Sequence, residues 1–311
     1  MKHPCFSLSA AVFLTFFSIA PVTLGQNPQQ VALLKWSPNT VTQFPVGTKP
    51  ADVCFDGSSI WVANRGSNNV TKINPSTGAV IGTYPAGVGP YGICFDGANI
   101  WVANNDSPSV TKISAATGAT LGNFNVGNSS HGICFNGTNV WVVCRNANAV
   151  VKLNVSTGAV LGTYSSGGVS PRGICSDGSS IWVTNCRSNN VANLSSSTGA
   201  VIATYNTGIA PNSVCFDGSS IWVVNTGSDT VTRNPGNTQR KDIGVGTRPW
   251  SICFDGVNLW VTNYGGNSVS RLTTGGGVAA TYNVDVSPFG VCFDGANIWI
   301  ANYGANTVSK L

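Results

Sequence analysis

The sequence contains no glutamate, so its eleven acidic residues are all aspartates. Charged residues make up only 9% of the chain, against about 25% in an average soluble domain. The net charge of +5 is spread thinly, without a run of lysine or arginine, and nucleic acid is therefore not an expected partner. Solubility must come instead from Asn, Ser, Thr and Gly, which is typical of exported β proteins.

Side chains for acid–base chemistry are also scarce. His131 is the only histidine after residue 25. The chain has no nucleophile elbow and no phosphate-binding glycine loop, and it lacks the paired catalytic carboxylates of a glycosidase. Six aspartates belong to a repeated Asp-Gly turn, namely Asp56, Asp96, Asp177, Asp217, Asp255 and Asp294.

Residues 1–25 differ in character from the rest of the chain. Lys2 precedes an apolar stretch from Phe6 to Val22, and small residues follow it. This pattern predicts a signal peptide cleaved before Gln26, with an uncleaved membrane anchor as the alternative. No later segment is apolar for long enough to span a bilayer. We therefore expect an exported protein that is secreted, periplasmic or attached to the cell surface.

One block is repeated seven times in the remaining chain. It reads Pro-x-Gly-Ile-Cys-Phe-Asp-Gly-x-x-Ile-Trp-Val-Ala-Asn, followed by two further short apolar runs ending in Ser-Thr-Gly and Gly-Thr-Tyr. Its cysteines recur every 38 to 41 residues, at Cys54, Cys94, Cys134, Cys175, Cys215, Cys253 and Cys292. A period near forty with four strand-like runs is typical of propeller blades. We predict a single all-β domain over residues 26–311, a seven-bladed β-propeller with four antiparallel strands per blade.

The two ends of the repeat region are complementary. The last repeat stops at Leu311, after its third strand-like run. The segment 40–47 reads like a fourth strand with its usual Val-Gly exit. The sequence therefore predicts that this N-terminal segment forms the outer strand of the seventh blade and closes the ring.

Two short motifs resemble known propeller families. Trp182-Val183-Thr184-Asn185 and Trp260-Val261-Thr262-Asn263 resemble the Tyr-Val-Thr-Asn (YVTN) repeat of bacterial and archaeal surface β-propellers. Pro90-Tyr91-Gly92-Ile93, followed by Asp-Gly and an aromatic-Val pair, is similar to the streptogramin (virginiamycin B) lyases and to NHL-type propellers. The resemblance extends over nearly the whole chain after residue 25. It implies the propeller fold, which hosts many unrelated functions.

Two positions vary between repeats that are otherwise alike. The first follows the connecting proline, which is replaced by Ser130 in the third repeat, and holds Ala51, Tyr91, His131, Arg172, Asn212, Trp250 and Phe289. The second lies just after the Trp-Val-Ala-Asn run and holds Arg65, Asn105, Arg145, Arg187, Thr226, Tyr264 and Tyr303, with Arg187 one residue further on because Cys186 follows the run directly. Antiparallel strands place both sets on one face, around the channel mouth. We expect a basic, aromatic and amide-rich funnel that suits a small molecule, a glycan or a protein partner. The alternative is that the loop sequences vary without a function.

The cysteines and tryptophans of the repeat are predicted to fill the space between blades rather than to bind metal or ligand. Cys144 and Cys186 depart from the repeat at nearly equivalent loop positions on neighbouring blades. In an oxidising compartment they are candidates for a disulfide, with two free thiols as the alternative.

The sequence favours an exported, monomeric, non-catalytic propeller that binds its ligand at the channel mouth without a cofactor or metal. The alternative is a lactone-opening enzyme similar to the streptogramin lyases, with His131 as its base. That resemblance implies a divalent metal such as Mg²⁺ and catalytic His and Glu residues on the channel face. This chain departs from it, because Glu is absent and Asn or Cys stands where the lyases carry a carboxylate. A purely structural envelope repeat is the third hypothesis.

Overall fold

The computed structural model describes residues 41–236 and 238–311, and the expected signal peptide, residues 1–25, lies outside them. Within these ranges the regular structure is β-strand, organised as seven sheets of four antiparallel strands. This confirms the all-β, seven-bladed propeller. No helix in the described part of the chain has the length and apolar character needed to cross a membrane.

The chain enters through β1 (Thr42–Pro45) and then builds the blades in order. Blade 1 consists of β2 (Pro50–Phe55), β3 (Ile60–Asn64), β4 (Asn69–Ile73) and β5 (Val80–Pro85). Blade 2 consists of β6 (Pro90–Phe95), β7 (Asn99–Asn104), β8 (Ser109–Ser114) and β9 (Thr120–Asn125). Blade 3 consists of β10 (Ser130–Phe135), β11 (Asn139–Cys144), β12 (Ala149–Asn154) and β13 (Val160–Ser165).

The later blades follow the same plan. Blade 4 consists of β14 (Pro171–Ser176), β15 (Ser180–Asn185), β16 (Asn190–Ser195) and β17 (Val201–Asn206). Blade 5 consists of β18 (Pro211–Phe216), β19 (Ile221–Asn225), β20 (Thr230–Arg233) and β21 (Lys241–Gly244). Blade 6 consists of β22 (Pro249–Phe254), β23 (Asn258–Asn263), β24 (Ser268–Thr273) and β25 (Val278–Asn283). Blade 7 consists of β26 (Pro288–Phe293), β27 (Ile298–Asn302), β28 (Thr307–Lys310) and β1.

The hydrophobic core lies between the blades. Trp61 packs with Ile93 and Ile100 of blade 2, whereas Val62 packs with Trp299 of blade 7. Both faces of a second strand are thus covered by neighbouring blades. This explains why the second strands are nearly continuous apolar runs rather than alternating ones.

The ring closes as the sequence predicts. Strand β1 pairs with β28 in the antiparallel register Phe44 with Val308. The Phe44 ring stacks on Trp299, with ring centres 5.7 Å apart, and so takes the place that Tyr84 takes beside Trp61 in blade 1, at 5.5 Å. An N-terminal strand therefore supplies the outer edge of blade 7.

The Asp-Gly turn is tied to the tryptophan of its own blade. In blade 1, Asp56 Oδ1 accepts the backbone N–H groups of Ser58 and Ser59, at 2.8 and 2.6 Å. Its Oδ2 accepts the Trp61 indole N–H at 2.7 Å. Burial opposes ionisation of Asp56, but these hydrogen bonds outweigh it and hold the pKa below its ordinary value. The same indole–carboxylate pair occurs in every blade except the third.

Cations on the third strands link one blade to the next. Lys72 Nζ lies 5.0 Å from the centre of the Trp61 ring and donates to Ala115 O of blade 2 at 2.7 Å. Lys310 makes the corresponding contact across the closure, donating to Pro75 O of blade 1 at 2.7 Å. The repeated lysine is therefore a structural residue, satisfied by a π face and a carbonyl.

Candidate functional site

The innermost strand of each blade turns two residues towards the propeller axis. In blade 2 the ladder passes from the Pro90–Asn104 pair to the Ile93–Val102 pair, so two residues oppose one on the partner strand. Such a bulge re-aims side chains out of the ladder. Here it directs Tyr91 and the residue after it into the channel. We call the end of the propeller where these residues lie the channel-mouth face.

A cavity of about 100 Å³ occupies the centre of the channel-mouth face. Its lining includes six of the seven residues predicted after the connecting proline, Ala51, Tyr91, His131, Arg172, Asn212 and Trp250. The seventh, Phe289, packs against this set, with its ring centre 4.5 Å from that of Trp250 and 6.2 Å from that of Tyr91. The structure therefore brings the predicted positions together around one opening.

The aromatic side chains fill much of the mouth themselves. The Tyr91 and His131 rings lie 4.1 Å apart, and Phe289 stacks on Tyr303 at 4.6 Å. Tyr264 meets the edge of Phe289 at 5.2 Å. Aromatic rings at converging positions thus pack on one another and narrow the predicted funnel. Trp250 and Tyr91 remain only half-buried.

His131 is held as a neutral imidazole inside this cluster. Its exposed fraction is 7%, and its Nδ1 lies 3.2 Å from Arg172 O, so Nδ1 carries the proton and donates it to the carbonyl. Burial, reinforced by the charges of Arg172 and Arg145, lowers the pKa of His131 to about 3. The ring is therefore a very weak base at neutral pH.

Polar groups join blades 4, 5 and 6 at the mouth. Arg172 Nη1 donates to Asn212 Oδ1 at 2.9 Å, and Asn212 Nδ2 donates to Trp250 O at 2.8 Å. The Arg172 guanidinium also lies 5.6 Å from the centre of the Trp250 ring. These contacts fix the orientation of Arg172. Its Nε remains buried without a hydrogen-bond partner among the described residues.

The second predicted set divides between the mouth and its rim. Arg65 pairs with Asp106 at 3.0 Å and donates to Tyr303 Oη at 3.5 Å, so its charge is already compensated. Arg145 and Arg187 instead line an outer cavity of about 260 Å³ between blades 3 and 4. The arginines predicted for one funnel thus occupy different environments.

Asp52 is a channel residue that the predicted site omitted. Residues of the same repeat position line the cavity in all seven blades, as Asp52, Gly92, Gly132, Gly173, Ser213, Ser251 and Gly290. Only blade 1 places a charged side chain there. Its carboxylate accepts the N–H groups of Val53 at 2.9 Å and Ile93 at 3.3 Å, yet burial raises its pKa to about 7. An alignment of the repeats reveals this departure.

Cys144 and Cys186 are both free thiols in the structure. Cys144 is buried, and its Sγ donates to Val126 O at 3.0 Å. Burial raises the pKa of this thiol to about 11. The repeat cysteines are free as well, and for instance Cys54 packs against the core between blades 1 and 2, as expected of a small apolar residue.

The channel-mouth residues do not form a donor set for a divalent metal. Such ions take several carboxylate, carbonyl or imidazole ligands. Within the described ranges, no three His, Cys, Asp or Glu side chains come close enough together to hold one ion.

Comparison with solved structures shows which proteins share this architecture. A streptogramin B lyase superposes with a TM-score of 0.75 at 18% identity, over 87% of this chain and 96% of that one. Virginiamycin B lyase from Staphylococcus aureus gives 0.76 at 20% identity, over 87% and 98%. The fold is that of the streptogramin B lyases.

The likeness extends to proteins with other names. A chain of the Kuenenia stuttgartiensis hydrazine synthase superposes with a TM-score of 0.74 at 19% identity, over 88% of this chain and 97% of that one. No protein-family model matches the sequence, and the search of curated proteins finds no match. At these identities the similarity establishes the fold, and function has to be argued from the site.

Proposed function

We propose that this protein binds a small ligand at its channel-mouth face and does not transform it chemically. The observation that carries the proposal is the convergence of the variable residues after each connecting proline on one axial cavity. The tryptophan a few residues further along each repeat does not vary, because it packs between blades. Variation confined to one opening fits a recognition surface held by a uniform scaffold.

The chemistry of the opening indicates the kind of ligand. A cavity of about 100 Å³ admits one small group, so the rest of the ligand must lie over the surrounding loops. Trp250 and Tyr91 offer aromatic surface, while Arg172 and Asn212 offer polar groups. A sugar ring or another compact polar ring matches this combination.

A protein partner is the other occupant that this face supports. Apolar side chains two residues before the connecting proline are 46–59% exposed around the rim, at Val88, Val169, Ile209 and Val286. Exposed apolar groups around a polar centre favour contact with another surface.

We also infer that the protein is exported and monomeric. Support for export comes from the signal-like pattern of residues 1–25 and the low charge content, and N-terminal sequencing of the processed protein tests it.

A ligand screen with one matched pair of variants tests the binding proposal. Wild type is melted in the presence of neutral and charged sugars, peptides and small metabolites, and ligands that raise the melting temperature are titrated by calorimetry. Trp250→Ala should weaken their binding at least tenfold, whereas Ile202→Ala, on the exposed outer strand of blade 4, should leave it unchanged. Equal affinities in wild type and Trp250→Ala would contradict a site at the channel mouth.

A lyase that uses His131 as its base is the second candidate. The shared fold favours it, and a catalytically inactive variant of S. aureus virginiamycin B lyase with quinupristin has the same architecture, with a TM-score of 0.74. Against it stands the buried His131, because a general base works best when its pKa lies near the operating pH. Incubation with a streptogramin B and detection of the linear product decides between the two. Product formation by wild type that is lost in His131→Ala would overturn the non-catalytic proposal.

A further inference from the structure

Blades 3 and 4 leave three arginines on the channel-mouth side without acidic partners. Residues 130–206 contain a single acidic residue, Asp177, which lies in the turn on the opposite face and accepts the Trp182 indole N–H. The described ion pairs of the other arginines, such as Arg65 with Asp106 at 3.0 Å, involve different loops. Among the described residues, no acidic side chain forms an ion pair with Arg145, Arg172 or Arg187, although Asp52 lines the same axial cavity as Arg172.

The three guanidinium groups lie close enough to affect one another. Burial lowers the pKa of Arg145, and the positive charges of Arg172 and then Arg187 lower it further. Like charges held together in a partly desolvated place repel one another unless an anion lies between them. The packing of blade 3 against blade 4 brings Arg145 and Arg187 to the same cavity.

The space between these arginines has the size and lining of an anion site. The outer cavity of about 260 Å³ is bounded by Arg145, Asn146, Asn148, Val169, Ser170 and Arg187. Arg145 is oriented by a hydrogen bond from its Nε to Ser170 Oγ at 3.0 Å, which leaves its terminal nitrogens available. Arg187 lines the same cavity and is exposed. Planar guanidinium groups are the side chains best suited to bind carboxylate and phosphate oxygens.

Arg172 belongs to the axial cavity, and its charge acts on Arg145 of the outer one. It lines the axial cavity beside Trp250, and its buried Nε has no hydrogen-bond partner among the described residues. A buried donor without a partner is costly, so a ligand oxygen at this point would gain from meeting it. The unsatisfied donor and the outer arginines lie on the same side of the mouth.

We propose that Arg145 and Arg187 bind the carboxylate or phosphate group of a small anionic ligand, with Arg172 guiding its body towards Trp250. The inference rests on the proposed function and names its ligand class as an anionic, sugar-sized molecule. A sugar acid and a sugar phosphate share this chemistry. They differ in charge and in the number of acceptor oxygens.

Calorimetric titration of the purified protein at fixed, low ionic strength tests the assignment. The probes are inorganic phosphate, citrate, galacturonate and glucose 6-phosphate, with galactose and glucose as neutral counterparts and chloride as the background salt. Binding of either charged sugar should be at least tenfold tighter than that of its neutral counterpart. Arg187→Gln and Arg145→Gln should each weaken it about tenfold or more, the effect of one charge-assisted hydrogen bond.

Lys49→Gln is the matched control, because Lys49 is exposed near the channel mouth in blade 1 and its substitution removes the same charge. Unchanged anion binding in this variant supports a specific site, whereas an equal loss in Lys49→Gln and Arg187→Gln would overturn it in favour of general attraction. Thermal unfolding of the variants without ligand checks their folding. Because Arg187 is exposed, its substitution should leave the stability of the fold unchanged. Neutral sugars that bind through Trp250 while no anion binds would refute the anion assignment and leave the proposed function intact.

Discussion

Blade 3 offers a stringent test of the packing rules in this propeller, because it alone breaks the pair formed by the turn aspartate and the tryptophan. Asn136 Oδ1 accepts the backbone N–H groups of Thr138 and Asn139, at 3.1 and 2.8 Å. The other terminal atom of the Asn136 side chain is therefore the amide nitrogen Nδ2, which cannot accept a hydrogen bond from the Trp141 indole. Trp141 Nε1 is buried and has no partner among the described residues. The substitution Asn136→Asp should supply the missing acceptor.

The expected gain follows from the other blades. In blade 2 the corresponding Trp101 Nε1 to Asp96 Oδ2 distance is 2.7 Å. Leaving a buried donor unpaired costs about 1–3 kcal/mol, and a hydrogen bond to a charged group contributes about 1.5–3 kcal/mol. Desolvation of the new carboxylate offsets part of this, so Asn136→Asp should stabilise the fold by about 1–3 kcal/mol. This corresponds to a rise in melting temperature of roughly 2–5 °C for a domain of this size.

Thermal and urea unfolding at pH 7 measure this change. The reverse substitution in blade 2, Asp96→Asn, recreates the arrangement of blade 3 and should destabilise the fold by a similar amount. The pH dependence gives a second check. Burial opposes ionisation of Asp96, but the hydrogen bonds from Trp101 and the turn outweigh it and keep the pKa below its ordinary value. Such a group stabilises the fold above its unfolded pKa of about 3.9.

The gain from Asn136→Asp should therefore be complete at pH 7 and disappear as the pH falls through the lowered pKa of the folded state. A variant that is no more stable than wild type at pH 7, while Asp96→Asn is destabilised, would refute the reasoning. So would a gain that persists unchanged in strong acid, because a protonated carboxyl group no longer offers a charged acceptor.

Three further predictions concern the channel, the closure and the odd cysteines. Burial raises the pKa of Asp52 to about 7, so stability should fall as the pH rises from about 4 to about 7; Asp52→Asn should abolish this slope in melts across that range, and an unchanged slope contradicts the assignment. Phe44→Ala removes the ring stacked on Trp299 and should cost about 1–3 kcal/mol, with faster amide exchange in β28; native exchange rates there would argue against closure by β1. Cys144 and Cys186, free in the structure, should both react with a thiol reagent after unfolding without reductant, and failure of both to react would indicate a disulfide.

Much of the fold could be predicted because the turns and strands of each repeat are determined by residues within that repeat. The Asp-Gly turns, the apolar second strand and the spacing of the blades depend on residues close together in sequence. Even the closure of the ring was readable, since β1 repeats the aromatic and Val-Gly pattern of the other outer strands. What the pattern could not show is that the turn aspartate also accepts the tryptophan N–H, which requires the hairpin to be folded.

The positions that gather at the channel mouth could be predicted in part, but their arrangement could not. The residues after the connecting prolines do converge, because every blade presents the same position to one axis. Their mutual packing was not predictable: Tyr91 covers His131, while Phe289 fills space between Trp250 and Tyr303. The predicted site omitted Asp52, although an alignment of the repeats shows it as the one aspartate among glycines and serines; its burial in the channel is a property of the assembled ring.

The sequence by itself determined the number of blades, the order of their strands and the face on which variable residues gather. These properties depend on periodicity and turn chemistry, which act over a few residues. Only the tertiary structure decided which side chains share a cavity, that His131 is a buried neutral ring, and that Arg145 and Arg187 line one cavity without an ion pair to any described acidic residue. Burial and charge compensation depend on neighbours from other blades. The sequence pattern does not give the distances between side chains of different blades.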